Sequence, residues 1–568
     1  MLIASRTHAP LHFTVEQAEA SESFPSERMS EEFSLSQFTQ AWRELSFERM
    51  AAGCFDVLVI GGGITGAACA LYAASAGLSV ALVEQNDFSS GTSSRSSRLI
   101  HGGLRYLKRG QVGLVYRSAR EQQRLAGLAP HLVRPINLLF PLYRKSFTSR
   151  LAHRGGMIAY SALQPFDSNL RHMRSSAEDF LSREPLLPAN GLQGGFVCRE
   201  YLTQDARLVM ETMLAACDAG ACAVNYARVI DLLHSRGCVV GALVIDEMTG
   251  RNVEIRARVV VNAAGPWADR LANRAATAKR RLRLSKGVHI IVPRRRLPLS
   301  DAVIFFSRRD KRPLVAIPSE NFVMVGPTET EYEGAPESAS AEREDVDYLL
   351  EALGDFFSSS MIEDGDVIAA RAGLRPLYDR AGRAAGEVSR AYHIEWHNEG
   401  FLSVLGGKLT LHRRAACATA RLLTRKLKVN TVGSSSEAVN NPLPGANWKH
   451  SSKVETKNLL LKMGVEGDSV DHLIRTYGSR AALFANLLAE EPELARTVSP
   501  KLPHIFAEAL FSIRYEMAVR PQDFFERRGD LALSLKAEGI HAPHELTKFW
   551  RVLPEKVLTA TQTEEVLA

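Results

Sequence analysis

The tightest constraint on this chain lies between residues 55 and 84. Phe55-Asp56-Val57-Leu58-Val59-Ile60 reads as a buried strand, and Gly61-Gly62-Gly63 breaks it. The small apolar run from Ile64 to Ala76 suits a helix lying close on a sheet, and Gly77 ends it. Ser79 to Glu84 is a second strand. Strand, crossover helix and strand together require a parallel sheet. Within this unit stands Gly61-x-Gly63-x-x-Gly66, with Glu84 closing the second strand. Gly61 permits the tight turn, Gly63 lets backbone approach a pyrophosphate at the helix N-terminus, and Gly66 lets helix and sheet touch. Glu84 can accept from adenosine ribose hydroxyls. The fingerprint predicts dinucleotide binding but does not by itself separate NAD from FAD. Its place near the start of a long chain, followed by a basic Ser/Gly loop, favours FAD.

That loop is GTSSRSSRLIHGGLRY, residues 91 to 106. Its composition alone is that of a flexible linker. Its position says otherwise, because it lies where a cofactor bound to the preceding unit would run. Thr92, Ser93, Ser94 and Ser97 can donate to pyrophosphate and ribityl oxygens. Gly102 and Gly103 leave room for a flat ring beside His101, whose ordinary pKa near neutrality suits a proton acceptor. Further along, Ala264 and Gly265 end a buried strand where small residues allow a cofactor close, and Trp267 reads equally as packing or as a cofactor contact.

With 568 residues the chain exceeds one core, and two to four domains are expected at roughly 100–200 residues each. The net charge of +7 from 70 basic and 63 acidic residues suits an anionic substrate or membrane surface. Neither a basic helix nor a finger-type spacing calls for nucleic acid. Seven cysteines, none in a C-x-x-C pair, fit a reduced, cytosol-facing context and suggest no metal. No long uncharged apolar run predicts a transmembrane helix. Residues 1–53 read as a poorly ordered extension; the first fifty have eight acids against four bases and no signal-peptide core, and Met29 and Met50 are alternative starts.

A coarse reading gives helices over 113–128 and 204–220 and strands over 224–232, 241–246, 253–262, 288–293, 314–318 and 322–326. The strand-rich stretch over 283–395 suits an antiparallel sheet covering the nucleotide-binding part. A helix is expected over 409–427, a linker over 429–452, and an almost wholly helical region over 453–568.

Several blocks together closely resemble the flavin-dependent glycerol-3-phosphate dehydrogenases. They are the residues 56–107 just described, QDARLV at 204–209, VVNAAGPWADRL at 260–271, KGVHIIVP at 286–293, DKRPLVAIP at 310–318, GLRPL at 373–377 and LSVLGGKLTLHR at 402–413. YGSR at 477–480 and IRYEMAVRPQDFFERR at 513–528 resemble that family's helical cap. The resemblance implies an α/β fold: a glutathione-reductase-like FAD-binding Rossmann domain interleaved with an antiparallel-sheet substrate domain over 54–428 (substrate parts about 107–200 and 280–395), and a C-terminal all-helical cap. It implies FAD as cofactor and oxidation of sn-glycerol 3-phosphate to dihydroxyacetone phosphate. It also implies a membrane quinone as electron acceptor and a peripheral, cytoplasmic position on the inner face of the cell membrane; a homodimer is compatible with it.

The resemblance also assigns roles. Arg105, Arg375 and Arg390 match basic residues lining the family's substrate pocket, and arginine's planar fork suits phosphate. Lys408, in Gly406-Gly407-Lys408-Leu409-Thr410, matches a cation against flavin or substrate, with Gly407, Leu409 and Thr410 beside the cofactor. Val229 matches a position whose backbone meets adenine. His101, Arg375 and Lys408 are the expected catalytic group; His289 and His412 are weaker candidates, and no metal is expected. The chain departs mildly from the family's common pattern at Arg98, and also at Gly326-Pro327-Thr328-Glu329 and at Leu411-His412; the last two fall near the expected pocket and leave room for altered substrate preference or turnover. An oxidase using oxygen, a related amine or amino-acid oxidase, and a non-catalytic FAD protein are the competing readings. Intact His101, Arg375 and Lys408 disfavour the last.

Overall fold

The computed structural model describes residues 38–103, 110–144, 173–275, 280–357, 362–379, 388, 390–429, 441–448 and 452–551. Among these, an eight-stranded sheet is built on the predicted βαβ unit. Strand Cys54–Ile60 lies centrally, parallel to both Val80–Val83 and Asn252–Asn262, with Ile60 opposite Val83 on one side and Asn262 on the other. Central parallel strands have apolar side chains on both faces, and Val57, Leu58 and Val59 are fully buried. The helix Ile64–Ala74 packs on this sheet through Ala67, Ala70 and Ala73, whose small side chains permit close approach. The order is completed by Phe401–Gly406 and Tyr392–Asn398 at one edge and Cys222–Val224 at the other. The hairpin Ala227–Ser235/Cys238–Asp246 pairs onto Asn252–Asn262.

A second, ten-stranded sheet is mostly antiparallel. Its long members are Arg134–Tyr143, Leu192–Leu202, Leu282–Pro293 and Ala369–Tyr378. The short strand Leu99–Ile100, inside the Ser/Gly loop, closes one edge by pairing with Tyr201 and Leu202. The loop is thus pinned to the second sheet while it leaves the first.

The C-terminal region has its own apolar core, with Tyr477, Phe484, Phe511, Phe524 and Trp550 all fully buried. Among the described residues it is helical apart from one two-stranded pairing, Thr497–Ser499 with Leu502–Ile505. Its join to the first sheet is ionic: Arg528 makes two bonds of 2.9 Å to buried Asp87, and Tyr226 donates to Asp523 at 2.7 Å.

Two segments expected to be loose are ordered. Gln40–Ala52 forms a helix capped by Thr39, whose hydroxyl accepts from the Trp42 amide. It buries Phe38, Trp42, Phe47 and Met50 against the sheet, and Phe38 stacks on Phe88 at 6.0 Å. Four apolar residues among acids in a short segment were too few to reveal this packing by periodicity. In the expected linker, residues 441–448 are anchored by Leu443, whose amide donates to the Leu128 carbonyl at 2.9 Å. No helix among the described residues is long and apolar enough to cross a membrane.

Candidate active site

One cavity of about 620 Å³ runs between the two sheets. At one end is the glycine turn. Gly61 has φ +116°, and a Cβ there would lie 2.6 Å from the Ala263 carbonyl oxygen. A Cβ at Gly66 would lie 1.8 Å from the Gly61 oxygen, so helix and strand meet only because both are glycine. Glu84 accepts from the Gly62 amide at 2.6 Å and from the Asn86 amide at 2.9 Å. Burial pushes its carboxyl up to about 7 against those two bonds. Val229, Ala264 and Gly265 line the same end, and a Cβ at Gly265 would meet nothing within 4 Å. The open cradle, the acid at the strand end and the exposed helix N-terminus are the donor set and the space that an adenosine diphosphate group requires.

The loop hydroxyls partner protein groups. Thr92 donates to the Leu374 carbonyl at 2.7 Å. Ser93 accepts from the Ile64 amide at 3.0 Å, at the helix N-terminus. Ser97 lies 2.8 Å from His289 Nε2. They fasten the loop to the second sheet and to the helix start, and Thr92, Ser93 and Ser97 still line the cavity; Ser94 and Gly102 do not. Gly102 is buried and its amide donates to Glu200 at 3.2 Å.

Cations gather at the other end. Arg375 faces Ser285 across the Leu282–Pro293/Ala369–Tyr378 pairing, and its guanidinium lies over Gly287, where a Cβ would come within 2.1 Å of Nη2. Glycine at 287 is therefore what makes room for it. Arg375 donates to the Thr328 carbonyl at 3.4 Å. Arg390 and Arg312 both hold Glu329, Arg312 at 3.1 Å. Arg105 lies outside the described residues.

Lys408 donates to the His101 carbonyl at 3.2 Å. Burial lowers its ammonium to about 7; Glu200 opposes that shift and Arg390 adds to it. The His101 amide donates to Thr410 Oγ1 at 3.3 Å, and His101, Gly103, Gly407, Lys408, Leu409 and Thr410 all line the cavity. His289 is buried; that burial and the charges of Arg375, Arg98 and Arg371 push it down to about 3, so it is neutral near pH 7. His412 Nδ1 donates to the Leu409 carbonyl at 2.7 Å, and burial lowers the imidazole to about 4. An Nδ1 facing a carbonyl must carry the proton, so His412 is a donor within the helix start.

Cavity residues not singled out by the sequence reading are Arg312, Glu200, Arg95, Arg270 and Tyr392. Arg312 stood inside a quoted block, DKRPLVAIP, and its charge was the available signal. Glu200 stands in no glycine- or arginine-marked motif.

Residues 56–413 match the family of FAD dependent oxidoreductases, and residues 436–550 match the C-terminal domain of alpha-glycerophosphate oxidase. The aerobic glycerol-3-phosphate dehydrogenase of Staphylococcus aureus (strain USA300) is 36% identical over 496 residues, spanning 85% of this chain and 88% of that protein. The crystal structure of glycerol-3-phosphate dehydrogenase from Bacillus halodurans, complexed with FAD, superposes with a TM-score of 0.75 at 30% identity, over 93% of this chain and 98% of that one. The L-alpha-glycerophosphate oxidase of Mycoplasma pneumoniae, with FAD bound, shares the fold at a TM-score of 0.53 and 19% identity, over 68% of this chain and 98% of that one. FAD is accordingly the cofactor, and the chain belongs to the FAD-dependent glycerol-3-phosphate dehydrogenases.

Proposed function

We propose that the chain oxidises sn-glycerol 3-phosphate to dihydroxyacetone phosphate and passes the electrons to a membrane quinone. The observation that carries this reading is Arg375, whose guanidinium stands over Gly287 in the same cavity as the FAD cradle. A phosphate dianion there meets a planar fork with two parallel donors, and each charge-assisted bond is worth about 1.5–3 kcal/mol. Arg390 and Arg312 enlarge the positive field, partly offset by Glu329. Arg105 joins this group by resemblance alone.

FAD, when bound, supplies the acceptor for the electron pair leaving the secondary carbinol carbon. The chain supplies the rest. His101 takes the hydroxyl proton, its backbone held by Lys408 and Thr410. Lys408, buried on the same wall, balances negative charge that develops near the ring or on the substrate. His289, neutral and bonded to Ser97, orients the loop. A peripheral position on the inner membrane face and a homodimer complete the reading, supported by the resemblance to this family.

The test is anaerobic mixing of the holoenzyme with sn-glycerol 3-phosphate, read at the visible flavin band. Bleaching supports the reading; an unchanged band in fully loaded protein overturns it. Reoxidation by a quinone analogue faster than by oxygen supports the acceptor; the reverse order assigns an oxidase.

A further inference from the structure

Four backbone polar groups around His101 have partners. The Ile100 carbonyl accepts from Gln122 Nε2 at 2.8 Å, the His101 amide and carbonyl engage Thr410 and Lys408, and the Gly102 amide donates to Glu200 Oε2 at 3.2 Å. Gln122 also donates to that same Glu200 oxygen, so one carboxylate ties the helix Val112–Leu128 to the His101 loop. Glu200 sits near the end of strand Leu192–Leu202 and is 3% exposed, yet it borders the cavity. A buried carboxylate is costly and is kept ionised by donors and nearby cations.

We infer that Glu200 is a positioning residue of the active site: its carboxylate holds the amide end of the His101–Gly102 peptide unit, whose carbonyl end accepts from Lys408, and so fixes His101 and acts on the Lys408 ammonium across that unit. The groups facing Lys408 are Glu200 from strand Leu192–Leu202, Arg390 ahead of strand Tyr392–Asn398, and His101 and Tyr392, which line the same cavity. Glu200 attracts the ammonium's proton and Arg390 repels it. Arg390 is itself paired with Glu329, which weakens its repulsion of the Lys408 proton. On its own strand Glu200 is flanked by Cys198, Arg199 and Tyr201; it adds to the upward shift that burial gives Cys198 and Tyr201, and Arg199 opposes that shift at Tyr201. The inference rests on the proposed function where His101 is read as the base and Lys408 is set against the flavin.

The experiment titrates the oxidised holoenzyme with pH, without substrate, and follows the visible FAD band. In the unaltered protein a perturbation is expected centred near the Lys408 value of about 7, and Lys408→Met should abolish it. Glu200→Gln keeps an acceptor oxygen and removes the charge; it should move the midpoint to lower pH by roughly one unit. Glu200→Asp keeps the charge and shortens the reach. It should leave the midpoint within about half a unit while slowing flavin bleaching by substrate about tenfold through the displaced loop. A Glu200→Gln midpoint equal to that of the unaltered protein, or a perturbation that survives Lys408→Met, overturns the inference. If the Gln variant does not hold FAD, the Asp variant decides: a midpoint moved by a unit or more with charge retained also overturns it. Failure of sn-glycerol 3-phosphate to bleach the flavin would overturn the proposed function and leave this substrate-free titration valid.

Discussion

Arg98 and Asp530, 432 positions apart in the chain, form a two-pronged ion pair, with Nη2 donating to Oδ1 at 2.7 Å and Nη1 to Oδ2. Arg98 lies in the loop beside the FAD cradle, and Asp530 precedes the helix Leu531–Glu538 of the C-terminal region. Both residues adopt φ +57°, a conformation that side chains larger than glycine adopt at some cost. Arg98 Nε is also 3.8 Å from Asp205, which accepts from the Ser96 hydroxyl at 2.7 Å. The C-terminal region therefore grips the loop that lines the cavity.

Asp530→Ala should leave the Arg98 guanidinium buried against Asp205 alone. Breaking one partner of a buried pair costs about 3–5 kcal/mol, less what Asp205 retains. The expected outcome is a lower Tm and faster FAD release, read by flavin fluorescence on heating. Burial raises the Asp530 carboxyl, but Arg98 outweighs it and holds it below the ordinary range. A carboxyl lowered on folding stabilises above its unfolded value, near 4, and loses that contribution as pH falls through the folded value. The stability gap between the Ala variant and the unaltered protein, measured in urea, should be widest near neutral pH and narrow progressively below about pH 4.

Two glycines of the cradle should fail in different ways. Gly66→Ala places a methyl 1.8 Å from the Gly61 oxygen, so the strand and helix must part. Loss of both stability and FAD is expected, with soluble protein mostly colourless. Gly265→Ala puts the methyl into open space at φ +53°. The fold then loses only about 1–2 kcal/mol of stability to backbone strain, while FAD affinity falls because the methyl points where the cofactor lies. A Gly265→Ala protein with normal FAD affinity would remove that residue from the cofactor site.

The βαβ unit was legible because its whole argument is local: turn, helix, second strand and closing acid fall within thirty residues or so. Arg375, Lys408 and His101 share one cavity, and the signal for that was family resemblance rather than periodicity. What the sequence could not reveal depends on register. Thr92 spends its hydroxyl on Leu374 and Ser97 faces His289, partners 282 and 192 residues away on strands of the second sheet. Arg375 needs Gly287 because strand pairing sets Gly287 opposite Gly373, two places along. Glu200 looks like any strand residue until Gln122 and Gly102 are brought to it. The helix Gln40–Ala52 was hidden because its packing surface lies on strands far along the chain, where Arg43 donates to the Asn225 carbonyl at 3.0 Å.

Arg375→Ala removes the fork and leaves the FAD cradle, at the opposite end of the cavity, untouched. KM for sn-glycerol 3-phosphate should rise roughly 10- to 100-fold, equivalent to about 1.5–3 kcal/mol, with FAD stoichiometry unchanged. Arg375→Lys should recover only part of that, since a point charge cannot make two parallel bonds. Steady-state kinetics with flavin content measured alongside checks both.

Lys408 gives the site a pH dependence whose sign is fixed. Burial lowers its ammonium to about 7, with Glu200 opposing. Below that value Lys408 is charged and adds to the field that holds a phosphate dianion; above it the charge is lost. The substrate's own second phosphate ionisation, near 6, strengthens binding as pH rises from 5 to 6.5. Affinity should therefore peak between about pH 6 and 7 and weaken above it. In Lys408→Met the alkaline decline should vanish and affinity should stay flat from pH 7 to 9, at or below the level the unaltered protein shows at the alkaline end. Substrate dissociation constants from stopped-flow bleaching across pH 5.5–9 test this. An alkaline decline that persists in Lys408→Met would assign the titration to another group on the cavity wall.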